Sequence, residues 1–212
     1  TTKKGSQERI LNKLKNGQVD ILIGTQMRSK GLDFPNVTLV GIIAADTTLN
    51  LPDFTASERT FQLLTQVGGR AGRGEHSGKV ILQTYEPEHY SIQSAKIHDY
   101  IGFYEQEIEI RKAFDYPPFT NLINLVFSAK DENEVIKTSN KVYYKIREEI
   151  KDFPPVDILG PNQSPIYRIR DRYRWQIIIK CSEKELKKLK KIIEKVCIID
   201  RRGMSRDLRI SI

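Results

Sequence analysis

Gln66-Val67-Gly68-Gly69-Arg70-Ala71-Gly72-Arg73-Gly74 sets two arginines three positions apart among glycines. Glycines let a backbone come close to a ligand and remove steric cover. A guanidinium held in such a setting grips phosphate through two parallel N–H bonds. The competing reading is a basic turn at a helix end. A second cluster, Gly24-Thr25-Gln26-Met27-Arg28-Ser29-Lys30-Gly31-Leu32-Asp33-Phe34-Pro35, follows an apolar run. If that run is a buried strand, the cluster leaves its carboxyl end, where open α/β sheets hold ligands. Its small and hydroxyl residues leave backbone N–H groups free for anions. An ordinary strand exit with a glycine turn has the same composition. A third cluster alternates Arg168, Arg170, Arg172 and Arg174 with Tyr167, Tyr173 and Trp175. On one extended strand, period two puts all four arginines on one face; a turn at Asp171 would split them across a hairpin. Arginine binds phosphates without sequence preference, and exposed aromatics stack bases at ~1–3 kcal/mol each. The competing reading is a surface hairpin whose arginines pair with carboxylates and whose Trp175 belongs to the core.

What is missing is equally informative. A phosphate-binding loop needs GxxxxGK[ST] to cradle phosphates and place Mg²⁺. The Gly-Lys pair here is Gly78-Lys79, with Val80 where a hydroxyl is required and Arg73 where the first glycine belongs. There is no acidic DExH-type segment. The expectation is therefore that this chain alone does not hydrolyse ATP. His76, His89 and His98 have no ligand spacing, and Cys181 and Cys197 lack the close pairing of a zinc site. Two cysteines are also too few for a disulfide-stapled secreted domain. Reduced thiols in a cytoplasmic protein are expected, with no metal.

The elements that must position these clusters fall into two halves. Residues 6–16 read as an amphipathic helix with Ile10, Leu11 and Leu14 inward, ended by Gly17. Apolar runs at 19–23, 37–45 and 79–84 read as buried strands of a parallel sheet. Between the last two, Thr55-Ala56-Ser57-Glu58 fits a capping box and opens a helix with Phe61, Leu64 and Val67 on one side. Residues 91–113 read as a charged bridging helix, broken by Phe114-Asp115-Tyr116-Pro117-Pro118-Phe119. The domain boundary is placed there, giving 1–113 and 114–212. The second half reads as strand 120–128, helix 132–150 capped at Asp131, an interrupted strand over 156–170, strand 174–181, helix 183–196 and strand 206–212. That is β-α-β-β-α-β, the ferredoxin-like order.

The net charge of +8 is unevenly spread. Residues 1–113 hold 14 basic and 13 acidic side chains, whereas residues 114–212 hold 21 and 14. A phosphate polymer is the natural partner of the second half, although solubility alone also accounts for such a balance. An apolar content of 39% supports packed cores, and no run of 18 or more apolar residues exists to span a membrane. The first residues, Thr1-Thr2-Lys3-Lys4-Gly5, lack a starting Met and an apolar signal segment; the expectation is a piece of a longer protein.

Thr25 followed by Gly31-Leu32-Asp33, then Gln66-x-x-Gly69-Arg70-x-x-Arg73, resembles motifs V and VI of superfamily 2 helicases. The strings Gly24-Thr25-Gln26-Met27, Asp33-Phe34-Pro35, Tyr116-Pro117-Pro118-Phe119, Leu159-Gly160-Pro161 and Arg174-Trp175-Gln176 resemble, more narrowly, the PriA family of primosomal replication-restart helicases (primosomal protein N′). The resemblance covers nearly the whole chain. It implies most of a second RecA-like lobe, then a ferredoxin-like, ribosomal-protein-like DNA-binding domain. It implies ATP and Mg²⁺ in the full-length protein, with Arg73 as the arginine finger and Arg70 and Gln66 beside it. Gly31, Asp33 and Gly69 would lie at the nucleotide, and Thr25, Gln26 and Lys30 at the DNA backbone. Arg168, Arg170, Arg172, Arg174, Tyr173 and Trp175 would contact DNA in the second half. The family's zinc module lies upstream, so no zinc is expected here. Forked and single-stranded DNA, primosome proteins and single-stranded-DNA-binding protein are the implied partners, and 3′–5′ unwinding at abandoned forks the implied activity. Two alternatives stay open: another superfamily 2 helicase acting on DNA or RNA, and a non-enzymatic single-stranded nucleic-acid-binding module.

Overall fold

In the computed structural model of the chain, the described residues are 6–24, 37–68, 78–201 and 207–211. They pack into two compact units, residues 1–50 with 55–103, and residues 51–54 with 104–212. The division falls after Phe103, inside a helix, whereas the sequence reading places a boundary at Phe114 after that helix ends.

The first unit opens with α1 (Ser6–Lys15), whose Leu11 is buried while Ile10 stays exposed. Gly17 stops it at φ +66°, a conformation that favours glycine. β1 (Leu39–Ile42) and β2 (Lys79–Leu82) pair in parallel, Leu39 beside Lys79 and Ile42 beside Leu82. Between them come the short α2 (Asp46–Leu49) and α3 (Ala56–Gly68). α4 (Tyr90–Lys96) follows, and α5 (Tyr100–Ala113) begins here. Phe61, Leu64, Ile92, Ala95 and Phe103 form the core, with the Phe61 and Phe103 rings stacked at 4.3 Å. Buried Asp46 ties the two strand ends together. Its carboxylate accepts from the Thr84 hydroxyl at 2.6 Å and from the Tyr85 N–H. The Thr84 bond is the main cause holding its carboxyl below the usual range.

Two regions depart from the sequence expectation. Residues 19–23 form no strand, and Ile21 and Ile23 are 77% and 89% exposed. An apolar run becomes a parallel strand only beside a partner that completes its ladder, and among the described residues none lies next to it. The bridging helix over 91–113 is two helices, parted at His98, which sits at φ +56°.

The second unit follows the β-α-β-β-α-β order: β3 (Asn121–Ala129), α6 (Glu132–Glu149), β4 (Asp157–Ile169), β5 (Arg172–Cys181), α7 (Glu183–Arg201) and β6 (Arg209–Ser211). The sheet runs β4-β5-β3-β6 with every neighbour antiparallel. Asp131 caps α6, its carboxylate accepting from Asn133 N–H at 3.0 Å. Alternation along β3 sends Ile123, Leu125, Phe127 and Ala129 to one side, where they meet Val135, Val142 and Ile146 of α6 and Leu189 and Ile193 of α7. Both helices therefore cover the same face. Cys181 and Cys197 are buried within this core, and burial pushes the Cys181 thiol up from its ordinary value.

Candidate nucleic-acid interface

The arginine-rich segment folds as a hairpin. Ile169 pairs with Arg172, so Arg170 and Asp171 form the two-residue turn, at φ +48° and +58°. Positive φ at both positions gives the turn whose twist matches that of the flanking strands. Arg170 is exposed at its tip. Arg168 donates to Asp171 at 3.1 Å, and its guanidinium lies 5.0 Å from the Tyr173 ring centre. Tyr173 in turn meets the Tyr167 ring at 5.3 Å. A hydrogen bond to the Glu132 carboxylate is the main cause pushing the Tyr167 hydroxyl up to about 12.

Strand register decides which faces the other side chains occupy. Tyr173, Trp175, Ile177, Ile179 and Cys181 alternate onto the helix-covered face, and Tyr173 and Trp175 pack against the core. The Trp175 indole N–H is buried and has no hydrogen-bond partner among the described residues. Arg172, Arg174, Gln176, Ile178 and Lys180 point to the opposite, open face. The alternation along β5 thus puts Arg172 and Arg174 on the face opposite Tyr173 and Trp175. Arg168, opposite Tyr173, stands on the helix side, so the four arginines do not share one face.

Their partners differ as much as their positions. Arg172 is largely enclosed, its side chain 14% exposed. It donates to the Asp207 carboxylate at 2.6 Å, to the Ser128 carbonyl at 2.8 Å and to the Asp207 carbonyl. The Lys130 N–H donates to the same carboxylate and, with Arg172, holds the Asp207 carboxyl below the usual range. Arg172 therefore fastens the segment before β6 to the sheet. Among the described residues, Arg174 reaches only the Ile166 carbonyl, at 3.3 Å, across the register shift between Gln163 and Arg168. Lys180 is occupied at the far end of the open face. It donates to the Phe114 carbonyl at 2.7 Å and lies 4.5 Å from the Tyr116 ring centre. Beside it, Phe54, Pro117, Pro118, Phe119, Leu122 and Glu183 line a shallow cleft.

Sequence reasoning missed the open-face residues contributed by other strands. Ser128 of β3 pairs with Arg174 on one side and Arg209 of β6 on the other. Period two in Arg209-Ile210-Ser211 does reveal which side Arg209 takes, but which strand it neighbours is a matter of tertiary register.

The expected nucleotide-side residues are less visible. Gln66 is exposed in the last turn of α3. Thr25, Gln26, Lys30, Gly31, Asp33, Gly69, Arg70 and Arg73 lie outside the described residues. Among the described residues, no group of three or more His, Cys, Asp or Glu could hold a metal, and no helix is long and apolar enough to cross a membrane.

Comparison with known proteins supplies what this geometry cannot. A family model described as the helicase conserved C-terminal domain matches residues 1–75. A second, the primosomal protein N C-terminal domain, matches residues 112–212. The replication restart protein PriA of Bacillus subtilis (strain 168) is 50% identical over 196 residues, 92% of this chain and 24% of the relative. That of Synechocystis is 46% identical over 180 residues, 85% of this chain and 21% of the relative. That of Chlamydia pneumoniae is 41% identical over 181 residues, 85% and 24%. The chain thus spans about a quarter of the length of the curated relatives it matches. Two domain models in this order, with identities of this size across both halves, place the chain in the PriA replication restart protein family.

Proposed function

We propose that the chain is the part of a 3′–5′ replication-restart DNA helicase that supplies one side of the ATP site and a DNA-binding domain. The observation that carries this reading is the adjacency, in one chain, of a helicase C-terminal match and a primosomal C-terminal match. The parallel β1–β2 pair flanked by helices fits part of a RecA-like lobe, and the β4-β5-β3-β6 antiparallel sheet fits a ferredoxin-like domain. The boundary falls near residues 104–114.

Arg73 is the arginine finger on the γ-phosphate of ATP bound with Mg²⁺, and Arg70 and Gln66 help to position it. Gly31, Asp33 and Gly69 border the nucleotide, and Thr25, Gln26 and Lys30 couple the site to the DNA backbone. In the second unit Arg168, Arg170 and Arg174 contact phosphates. Arg172, Tyr173 and Trp175 keep the hairpin and β6 in place for that contact, a role favoured by their enclosure over direct stacking on bases. The full-length protein acts on abandoned forks and single-stranded DNA, with primosome proteins and single-stranded-DNA-binding protein as partners.

The chain alone holds arginines but no phosphate-binding loop, so it is expected to show no DNA-stimulated ATP hydrolysis above background. In the full-length gene product, Arg73→Ala is expected to lower kcat by ~10³-fold or more while ATP still binds. Measurable turnover by the chain alone would refute the half-site reading. Unchanged kcat in the Arg73 variant would refute the finger.

A further inference from the structure

We infer that the open face of the second unit's sheet carries a phosphodiester-binding row, Arg174–Ser128–Arg209, on which a single nucleic-acid strand lies flat. This rests on the DNA-binding reading above and names a site within it. The register sets the row: Ser128 pairs with Arg174 of β5 and with Arg209 of β6, and all three alternate onto the face opposite the helices. Adjacent strands lie ~4.8 Å apart, so the two arginine Cα atoms stand roughly 10 Å apart with a hydroxyl between them. Neither arginine has a carboxylate partner among the described residues, and Arg209 is exposed. On the same face Arg172 is ion-paired with Asp207, and Lys180 donates to the Phe114 carbonyl at 2.7 Å and lies over the Tyr116 ring, whereas Arg174 makes only a longer 3.3 Å contact with the Ile166 carbonyl among the described residues. Of the acidic groups beside this face, Asp207 is ion-paired with Arg172, and Asp157 stands opposite Lys180 at the far end. Net positive charge therefore concentrates at this row and complements a phosphate backbone.

The neighbouring rows favour a single strand over a duplex. Gln176 lies one row away, beside Val126 and Ser211, and Asn124 one row further, beside Ile178. These amides offer donors and acceptors to Watson–Crick base edges, which are free in a single strand and occupied by pairing in a duplex. The aromatics Tyr173 and Trp175 are turned to the helix side. The row therefore binds through phosphate and amide contacts rather than stacking, and its affinity falls steeply with salt.

The test titrates the 212-residue chain into labelled oligothymidylate at several salt concentrations. Unlabelled oligothymidylate, the same oligomer as a duplex with oligoadenylate, and a polyglutamate of matched charge serve as competitors. Arg174→Gln with Arg209→Gln is expected to weaken binding roughly tenfold and to lower the log–log salt slope by about 1.4, or ~0.7 per lost contact. Lysine at both positions is expected to restore most of that slope, which a merely structural role would not do. Lys187→Gln with Lys191→Gln, on the exposed side of α7, is expected to change affinity less than about twofold. Arg209→Gln alone, at an exposed position, is expected to lose half the slope change and covers any misfolding of the double variant. If the chain binds and the arginine variants match it in affinity and slope, the row is overturned while the DNA-binding reading stands. If the unaltered chain does not bind, that reading falls and the row with it. Competition by the duplex or by polyglutamate as strong as by the single strand would overturn the assigned occupant.

Discussion

The two units solve the burial problem differently. In the second, Leu125, Phe127, Val135, Val142, Ile146, Ile177, Ile179, Leu189 and Ile193 are all fully buried. Its antiparallel sheet needs helices on one face only, so six elements suffice to close a core and still leave a solvated face. In the first, the core is smaller, and its parallel strands keep Leu39 56% and Ile81 49% exposed, with Ile43 beyond the strand at 79%. A parallel pair has apolar residues on both faces and depends on cover from both. The lesson is that the sheet type fixes how much of a unit's surface remains for binding. The antiparallel unit has a polar face to spare, whereas the parallel one has apolar surface still uncovered.

The largest expected effect lies in the second core. Phe127→Ala should cost about 3–5 kcal/mol in urea unfolding, read by Trp175 fluorescence. A loss near zero would contradict a close-packed core. Amide exchange should sharpen the contrast between the units. The N–H groups paired between β3 and β5 are expected to exchange roughly 100-fold or more slowly than those between β1 and β2; equal protection would erase the comparison. Arg172→Ala should leave the enclosed Ser128 carbonyl without its partner, at about 1–3 kcal/mol, and speed exchange of β6 in particular. The pH response follows from Asp207. Its folded carboxyl titrates below the ordinary aspartate value of ~3.9, so its contribution is complete above that value. It is lost as pH falls through the lower folded value. Asp207→Asn should flatten that acid limb of the unfolding curve. Smallest of all, Ile43→Ser, at an exposed position, should stay within about 0.5 kcal/mol. A larger loss would mean the first unit is better covered than its exposure indicates.

Much of the second unit was legible in the sequence because its signals are local. Asp131 before an acidic first turn marks a helix start, and alternation in Ile123, Leu125 and Phe127 marks a core-facing strand. The first unit was less so. Residues 19–23 read as a strand by composition, but strand formation depends on a neighbour that no local pattern specifies. The break at His98 also escaped, because its left-handed φ carries no glycine to announce it. At the candidate interface, the residue types and a turn at Asp171 were readable locally, but the pairing was not. That Arg172 meets Asp207, 35 positions away, and that Arg174 shares a row with Arg209, follow from register across three strands. The nucleotide-side role proposed for Arg70 and Arg73 rests on motif spacing alone.

The nucleic-acid-binding surface proposed for this chain attracts its partner electrostatically. Its most direct test is the affinity of the chain for single-stranded oligothymidylate measured across salt concentration. The expected result is binding whose log affinity falls linearly with log salt, with a slope that shrinks when Arg174 and Arg209 are neutralised. Absence of binding, or binding indifferent to salt, would contradict it.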